Sequence, residues 1–207
     1  MSRRRATVRV SDVLTAVVGD DLTGDGLTER ALDAAEALLR SSGLRRWSVD
    51  DVADRAGLGR TTVYRRFGNR DELVHAVLGR ELRTVLTAIA RAAADVDDPE
   101  DKAVAAVTTA LSALDGSVVR SLVESDPATF LPLITTDAGA LLAIAREAIA
   151  AQLATVGERP SPEVAEMLAR VGLSFVLTRD TVLPLGDAVN LDAAVRNMVR
   201  PLLAPVV

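Results

Sequence analysis

The sequence predicts an all-α protein of about nine helices, and three observations carry that prediction. Ala, the strongest helix former, is the commonest of the 207 residues, with 34 copies. Leu, Val and Ala recur at three- and four-residue spacing along most of the chain, the period of an amphipathic helix. Aromatic residues make up only 2% of the chain. A hydrophobic fraction of 49% is too high for disorder, and the length suits one or two domains with a sizeable core.

The elements follow in order. Residues 1–27 read as an extension, with one or two helical turns over Ser11 to Val18 and a Gly/Asp loop from Asp20 to Gly26. Thr28 is the expected N-cap of the first helix, whose apolar face is Leu32, Ala35, Leu38 and Leu39 and whose C-cap is Gly43. Ser48 and Asp51 have the spacing of a capping box and open a second helix that stops at Gly57. Gly57-Leu58-Gly59 is a short turn, and a third helix runs from about Arg60 to Phe67. Asn69 and Glu72 cap a long fourth helix with an apolar face from Leu73 to Ile89.

Asp98 and Pro99 start a fifth helix marked by Val104, Val107, Leu111 and Leu114. A short sixth opens at Gly116-Ser117 and ends near Pro127; Ala128 to Thr135 reads as a further short turn. A seventh covers about Thr136 to Val156, and an eighth runs from Ser161-Pro162-Glu163 to about Asp180. Asn190 is the expected cap of the last, which reaches about Leu203.

Composition excludes several functions. With no Cys there are no disulfides, thiolate nucleophiles or Cys-based zinc sites, and one His cannot build a multi-His metal site. That residue, His75, has no Ser-His-acid pattern near it and reads as a packing or hinge residue. The carboxylate pairs Glu163/Glu166 and Asp97/Asp98 read as helix-start charges. No catalytic group, metal or cofactor is expected. Arg3, Arg4 and Arg5 precede an apolar run, but Asp12 interrupts it and no small-x-small cleavage site follows. No stretch of about 18 uncharged apolar residues is present, so the reading is a soluble, cytoplasmic protein.

The net charge of −5 hides two regions of opposite sign. Between Arg45 and Arg70, seven Arg face three Asp, a net +4 in 26 residues. From Thr84 to Val207 the balance is nine basic to sixteen acidic, or −7. Lys102 is the only Lys, so every cation in the basic region is an Arg. The two short helices joined by Gly57-Leu58-Gly59 have the form of a helix-turn-helix, in which the second helix enters the DNA major groove. That second helix reads Arg60-Thr61-Thr62-Val63-Tyr64-Arg65-Arg66-Phe67 and offers guanidinium forks, hydroxyls and a phenol. Trp47 reads as packing where helices one and two meet, and Phe67 as core.

The segment Ser48 to Leu73 resembles the DNA-binding part of TetR-type transcriptional repressors. The matching features are Val52-Ala53 with Ala56-Gly57, then Thr62-Val63-Tyr64 and Phe67, then Asn69-x-x-Glu72-Leu73. The resemblance reaches back to Thr28 and implies an all-α homodimer: a flexible extension over 1–27, a three-helix DNA-binding domain over 28–75, and a helical effector-binding and dimerisation domain over 76–207. By position it implies that Arg60, Thr61 and Thr62 face bases and that Tyr64, Arg66 and Arg70 meet phosphates. Arg65 would reach either, and Ser48 would touch the backbone at its helix N-terminus. Arg65 and Arg66 depart from the aromatic residue and His common at those places, which implies an unusual operator preference.

The resemblance also implies a small, largely apolar effector held between helices, with Thr108, Ser112, Arg120, Glu124, Phe130 and Arg146 as candidate lining residues. A stripe of small side chains, Ala165, Ala169, Gly172 and Val176, suits close packing across a dimer, with intrachain packing as the alternative. Val195 and Val199 would supply the second helix of each pair. The function expected is a ligand-released repressor binding a palindromic operator as a homodimer. The alternative is a helical ligand-binding or protein-interaction module that keeps the helix-turn-helix without regulating a promoter, which would lack salt-dependent DNA binding.

Overall fold

The structure, a computed structural model, describes residues 25–44, 46–94, 96–154, 161–178 and 180–203. Most of the 1–27 extension, with Arg3 to Arg5 and the Ser11–Val18 turns, lies outside the described residues, as does Arg45. Among the described residues there are ten helices and no strand: α1 Gly26–Ser42, α2 Val49–Ala56, α3 Arg60–Phe67, α4 Arg70–Ala94, α5 Pro99–Asp115, α6 Val118–Ser125, α7 Pro127–Ile134, α8 Gly139–Ala154, α9 Pro162–Leu177 and α10 Ala188–Leu203. The helix beyond the expected nine is α7. Pro127 sits in its first turn, and the Asp126 carbonyl accepts from Thr129 at 3.1 Å and Phe130 at 3.2 Å, so a full eight-residue helix forms where the sequence suggested a turn.

Two helix caps differ from expectation, for one reason. Asp25, not Thr28, caps α1: its carboxylate accepts the Thr28 N–H at 2.7 Å, and Thr28 itself is buried in the first turn. Asp187, not Asn190, caps α10, accepting from the backbone of Val189 at 3.1 Å and Asn190 at 3.2 Å. In each case two polar residues three positions apart could have capped, and the more N-terminal carboxylate took the free N–H groups.

The chain divides into two compact units. The first holds the described residues up to Arg83 together with Ser121–Ala138. In it α1 packs on α2 and α2 on α3. Leu32, Leu39, Val52, Val63, Leu73, Val74 and Val77 are all but inaccessible to solvent. Gly43 has φ +63°, and a Cβ there would stand 3.1 Å from Ser125 Oγ, so the bend after α1 needs glycine both for its backbone and for space.

The second unit holds Thr84–Arg120 and Gly139–Val207. Here α5 packs against α8, α9 and α10, and α8 packs on α9. Ala103, Val104 and Leu111 of α5 meet Leu191, Val195 and Val199 of α10, with Val107, Phe175 and Leu185 at the margin. Arg196 closes this layer from outside, pairing with Glu100 at 3.5 Å, with Asp101, and with Asp192 one turn back. No single helix among the described residues is long and apolar enough to cross a membrane.

Candidate nucleic-acid interface

The site is built on α2 and α3. Ser48 and Asp51 form the expected capping box: the Ser48 N–H and O–H donate to Asp51 Oδ2 at 2.7 and 2.8 Å, and the Asp51 N–H donates to Ser48 Oγ at 3.3 Å. Those bonds from Ser48 hold the Asp51 carboxyl below its ordinary 3.8. The helix ends where Gly57 turns left-handed (φ 64°, ψ 39°) and the Leu58 N–H reaches back to the Ala53 carbonyl at 2.9 Å. Gly59 then returns to extended backbone, and its carbonyl accepts from Thr62 at 2.9 Å and Val63 at 3.2 Å to start α3.

Burial decides which face of α3 is available. Val63 and Phe67, four residues apart, are 1% and 6% exposed and anchor the helix to the first unit. Arg60, Thr61, Tyr64, Arg65 and Arg66 are therefore on the open side, with Thr62 half-buried between the two faces. Tyr64 is 46% exposed, so its ring and hydroxyl are open to a partner. A cleft of about 250 Å³ lies beside α3, lined by the start of α1 (Asp25, Leu27 and Thr28) and by Leu58, Thr62, Arg65 and Arg66.

The expected DNA-contacting residues are thus brought together on one short segment, with two partners that the sequence did not announce. Arg60 is paired with Asp50 and Asp54 of α2. Arg70 lies over the indole of Trp47, its guanidinium carbon 5.0 Å from the ring centroid. Burial lowers the Arg70 pKa, and its Nε and Nη2 are buried without a hydrogen-bond partner. Trp47 is itself fixed by donating its Nε1–H to the Gly43 carbonyl at 2.9 Å. Arg70 is therefore first a packing cation at the start of α4, where sequence position suggested a phosphate contact. Ser48 is exposed at the N-terminus of α2, with its hydroxyl engaged in the capping box.

The other candidate residues are more dispersed. Of the six named for an effector, Glu124 and Phe130 belong to the first unit, while Thr108, Ser112, Arg120 and Arg146 belong to the second. Phe130 is core, Ser112 and Glu124 are exposed, and Arg146 pairs with Glu166 at 3.4 Å. Arg120 is buried, and its backbone N–H donates to Ser117 Oγ at 3.0 Å. Thr108 keeps a buried hydroxyl without a hydrogen-bond partner.

The residues named for a dimer contact require correction. Ala165, Ala169, Val195 and Val199 are buried within the chain, so none of them has surface to offer a partner. Gly172 is half-buried, and the side chain of Val176 lies outside the described part. Ala165 and Ala169 of the small stripe pack inside the second unit. The apolar side chains that α9 leaves exposed are Met167, Val171 and Leu177, joined on α10 by Val189 and Met198.

Two short helices joined by a left-handed glycine turn, with Arg-rich chemistry on the open face of the second, define a helix-turn-helix DNA-binding protein. Residues 31–77 match the sequence model of the family described as bacterial regulatory proteins, tetR family. An uncharacterized HTH-type transcriptional regulator of Mycobacterium tuberculosis (strain H37Rv) is 29% identical over 181 residues, covering 86% of this chain and 85% of that one. The HTH-type transcriptional repressor KstR2 of Rhodococcus jostii is 28% identical over 134 residues, covering 60% and 66%. Among solved structures, the TetR family repressor AlkX from Dietzia sp., implicated in biodegradation of n-alkanes, superposes with a TM-score of 0.57 at 25% identity, covering 86% of this chain and 99% of that one. The chain is thus similar over its DNA-binding segment to the TetR family of transcriptional regulators, and that likeness supports a DNA-binding regulator.

Proposed function

We propose that the protein is a repressor that binds a palindromic operator as a homodimer and is released by a small, largely apolar effector. The observation that carries this reading is the open face of α3, where Arg60, Thr61, Tyr64 and Arg65 surround a helix anchored by Val63 and Phe67. Thr62 and the Arg60/Thr61 pair would meet base edges, while Tyr64, Arg66 and the N-terminus of α2 at Ser48 would meet phosphates. Two copies of α3 would read half-sites in successive major grooves.

Met167 and Val171, one turn apart on α9 and exposed to water in the single chain, support the homodimer. The apolar character of the effector is supported by the resemblance to AlkX, a repressor implicated in n-alkane degradation. Release would follow if the effector favours a conformation in which the two α3 helices no longer fit successive grooves. Helix α4 is the natural route, since its 25 residues continue from the first unit into the second.

Selection of bound duplexes from a random pool tests the reading. The expected product is a two-fold symmetric consensus with a steep salt dependence, bound less well when a medium-chain alkane or fatty acid is present. An unsymmetric product, or none, contradicts it.

A further inference from the structure

Arg60 opens α3 with its guanidinium held from behind. Nη1 donates to Asp50 Oδ2 at 3.2 Å, and Nη2 stands 3.7 Å from Asp54 Oδ2. Asp50 and Asp54 are four residues apart, so one face of α2 presents both carboxylates to the first turn of α3. The Arg60 and Asp54 side chains are 60% and 70% exposed, and pairs this open contribute little to stability. Their consequence is electrostatic. One cation faces two carboxylates at the point where an otherwise basic head would approach DNA.

A phosphate reaching for Arg60 would come close to both carboxylates, well inside the roughly 8 Å over which salt screens charge. A neutral base edge meets no such repulsion. A guanidinium has five donors, so N–H groups remain after two have turned toward Asp50 and Asp54. The pull of both carboxylates also biases which way the remaining N–H groups of the fork point.

We propose that Asp50 and Asp54 are specificity-determining residues that make Arg60 a reader of guanine O6 and N7 and deny it to phosphates. This rests on α3 being the recognition helix and names the target of its first side chain. The same carboxylates would lower affinity for non-specific DNA, which depends almost wholly on phosphate contacts.

The test uses the full chain, with a pool of random 30-base-pair duplexes as the probe. Wild type, Asp50→Asn/Asp54→Asn and Arg60→Ala are each put through selection, and each is titrated on the unselected pool at several salt concentrations. Asn keeps the shape of Asp, neither carboxylate belongs to the capping box, and circular dichroism verifies that each variant is folded. Wild type is expected to select one invariant guanine per half-site. Arg60→Ala should lose it with an unchanged salt slope. Asp50→Asn/Asp54→Asn should relax it, bind the unselected pool roughly threefold or more tightly, and steepen the salt slope by about one as Arg60 moves to a phosphate.

If the double variant keeps the guanine and the pool affinity of wild type, the proposal is overturned while the recognition helix stands. If Arg60→Ala keeps the guanine and loses about one unit of salt slope, Arg60 is a phosphate contact and the proposal is overturned. If wild type selects no sequence, the reading of α3 falls and takes the proposal with it.

Discussion

Ser48 and Asp51 satisfy each other's backbone N–H groups, and that reciprocity fixes where α2 starts and hence where Asp50 and Asp54 point. Ser48→Ala should lower the melting temperature by about 2–4 °C at pH 7, read by circular dichroism. The pH dependence has a definite sign. The folded Asp51 carboxyl titrates below its ordinary 3.8, so its contribution is complete above that value and is lost as pH falls through the depressed one. The melting temperatures of wild type and Ser48→Ala should therefore draw together as pH falls below the ordinary 3.8. A gap that widens in acid would mean that Asp51 is not ionised in the box. At this scale the sequence was legible wherever partners lie three or four residues apart. It was silent on Arg60 with Asp50, ten residues away, and on Trp47 with Arg70, because only the packed fold brings such pairs together.

Helices α1 and α4 are held by one side chain. Arg80 donates to Glu29 at 3.0 Å and to Asp33 and Glu36 at 2.7 Å, three carboxylates spaced along one face of α1. Burial works against its charge, but the three carboxylates outweigh it and raise its pKa above the ordinary value. Stability from a raised pKa is lost only as pH climbs past the unfolded value, so salt is the practical lever here, not pH. Arg80→Met should cost about 1 kcal/mol at low salt, and the difference from wild type should shrink as sodium chloride is raised toward 1 M. Chemical denaturation at several salt concentrations measures it, and a salt-independent difference would assign the loss to packing. Helix bounds near this clamp were legible because Gly43, Gly57 and Gly68 and the caps at Ser48 and Asn69 punctuate the chain. The starts of α1 and α10 were not, because rival caps three residues apart are told apart only by which side chain reaches the free N–H groups.

The basic segment and the exposed apolar side chains of α9 belong to different units of the chain. The basic segment lies at α2 and α3, and the acidic body carries Met167, Val171 and Leu177 in the open on α9. If that face joins two copies, Met167→Glu/Val171→Glu should shift the protein from dimer to monomer in sedimentation equilibrium while leaving the helical signal intact. It should also weaken operator binding, because each half-site would then be bound alone. An unchanged dimer would place the contact on another face. The small-residue stripe was visible in the sequence, but its direction was not: spacing tells which residues share a face, and only packing tells what that face meets. The most direct measurement of the central claim is a fluorescence-anisotropy titration of full-length Tyr64→Ala/Arg66→Ala against the pool-selected operator, beside wild type. The account predicts a roughly 10- to 100-fold loss of affinity with a shallower salt dependence and an unchanged fold. An affinity equal to wild type would contradict it.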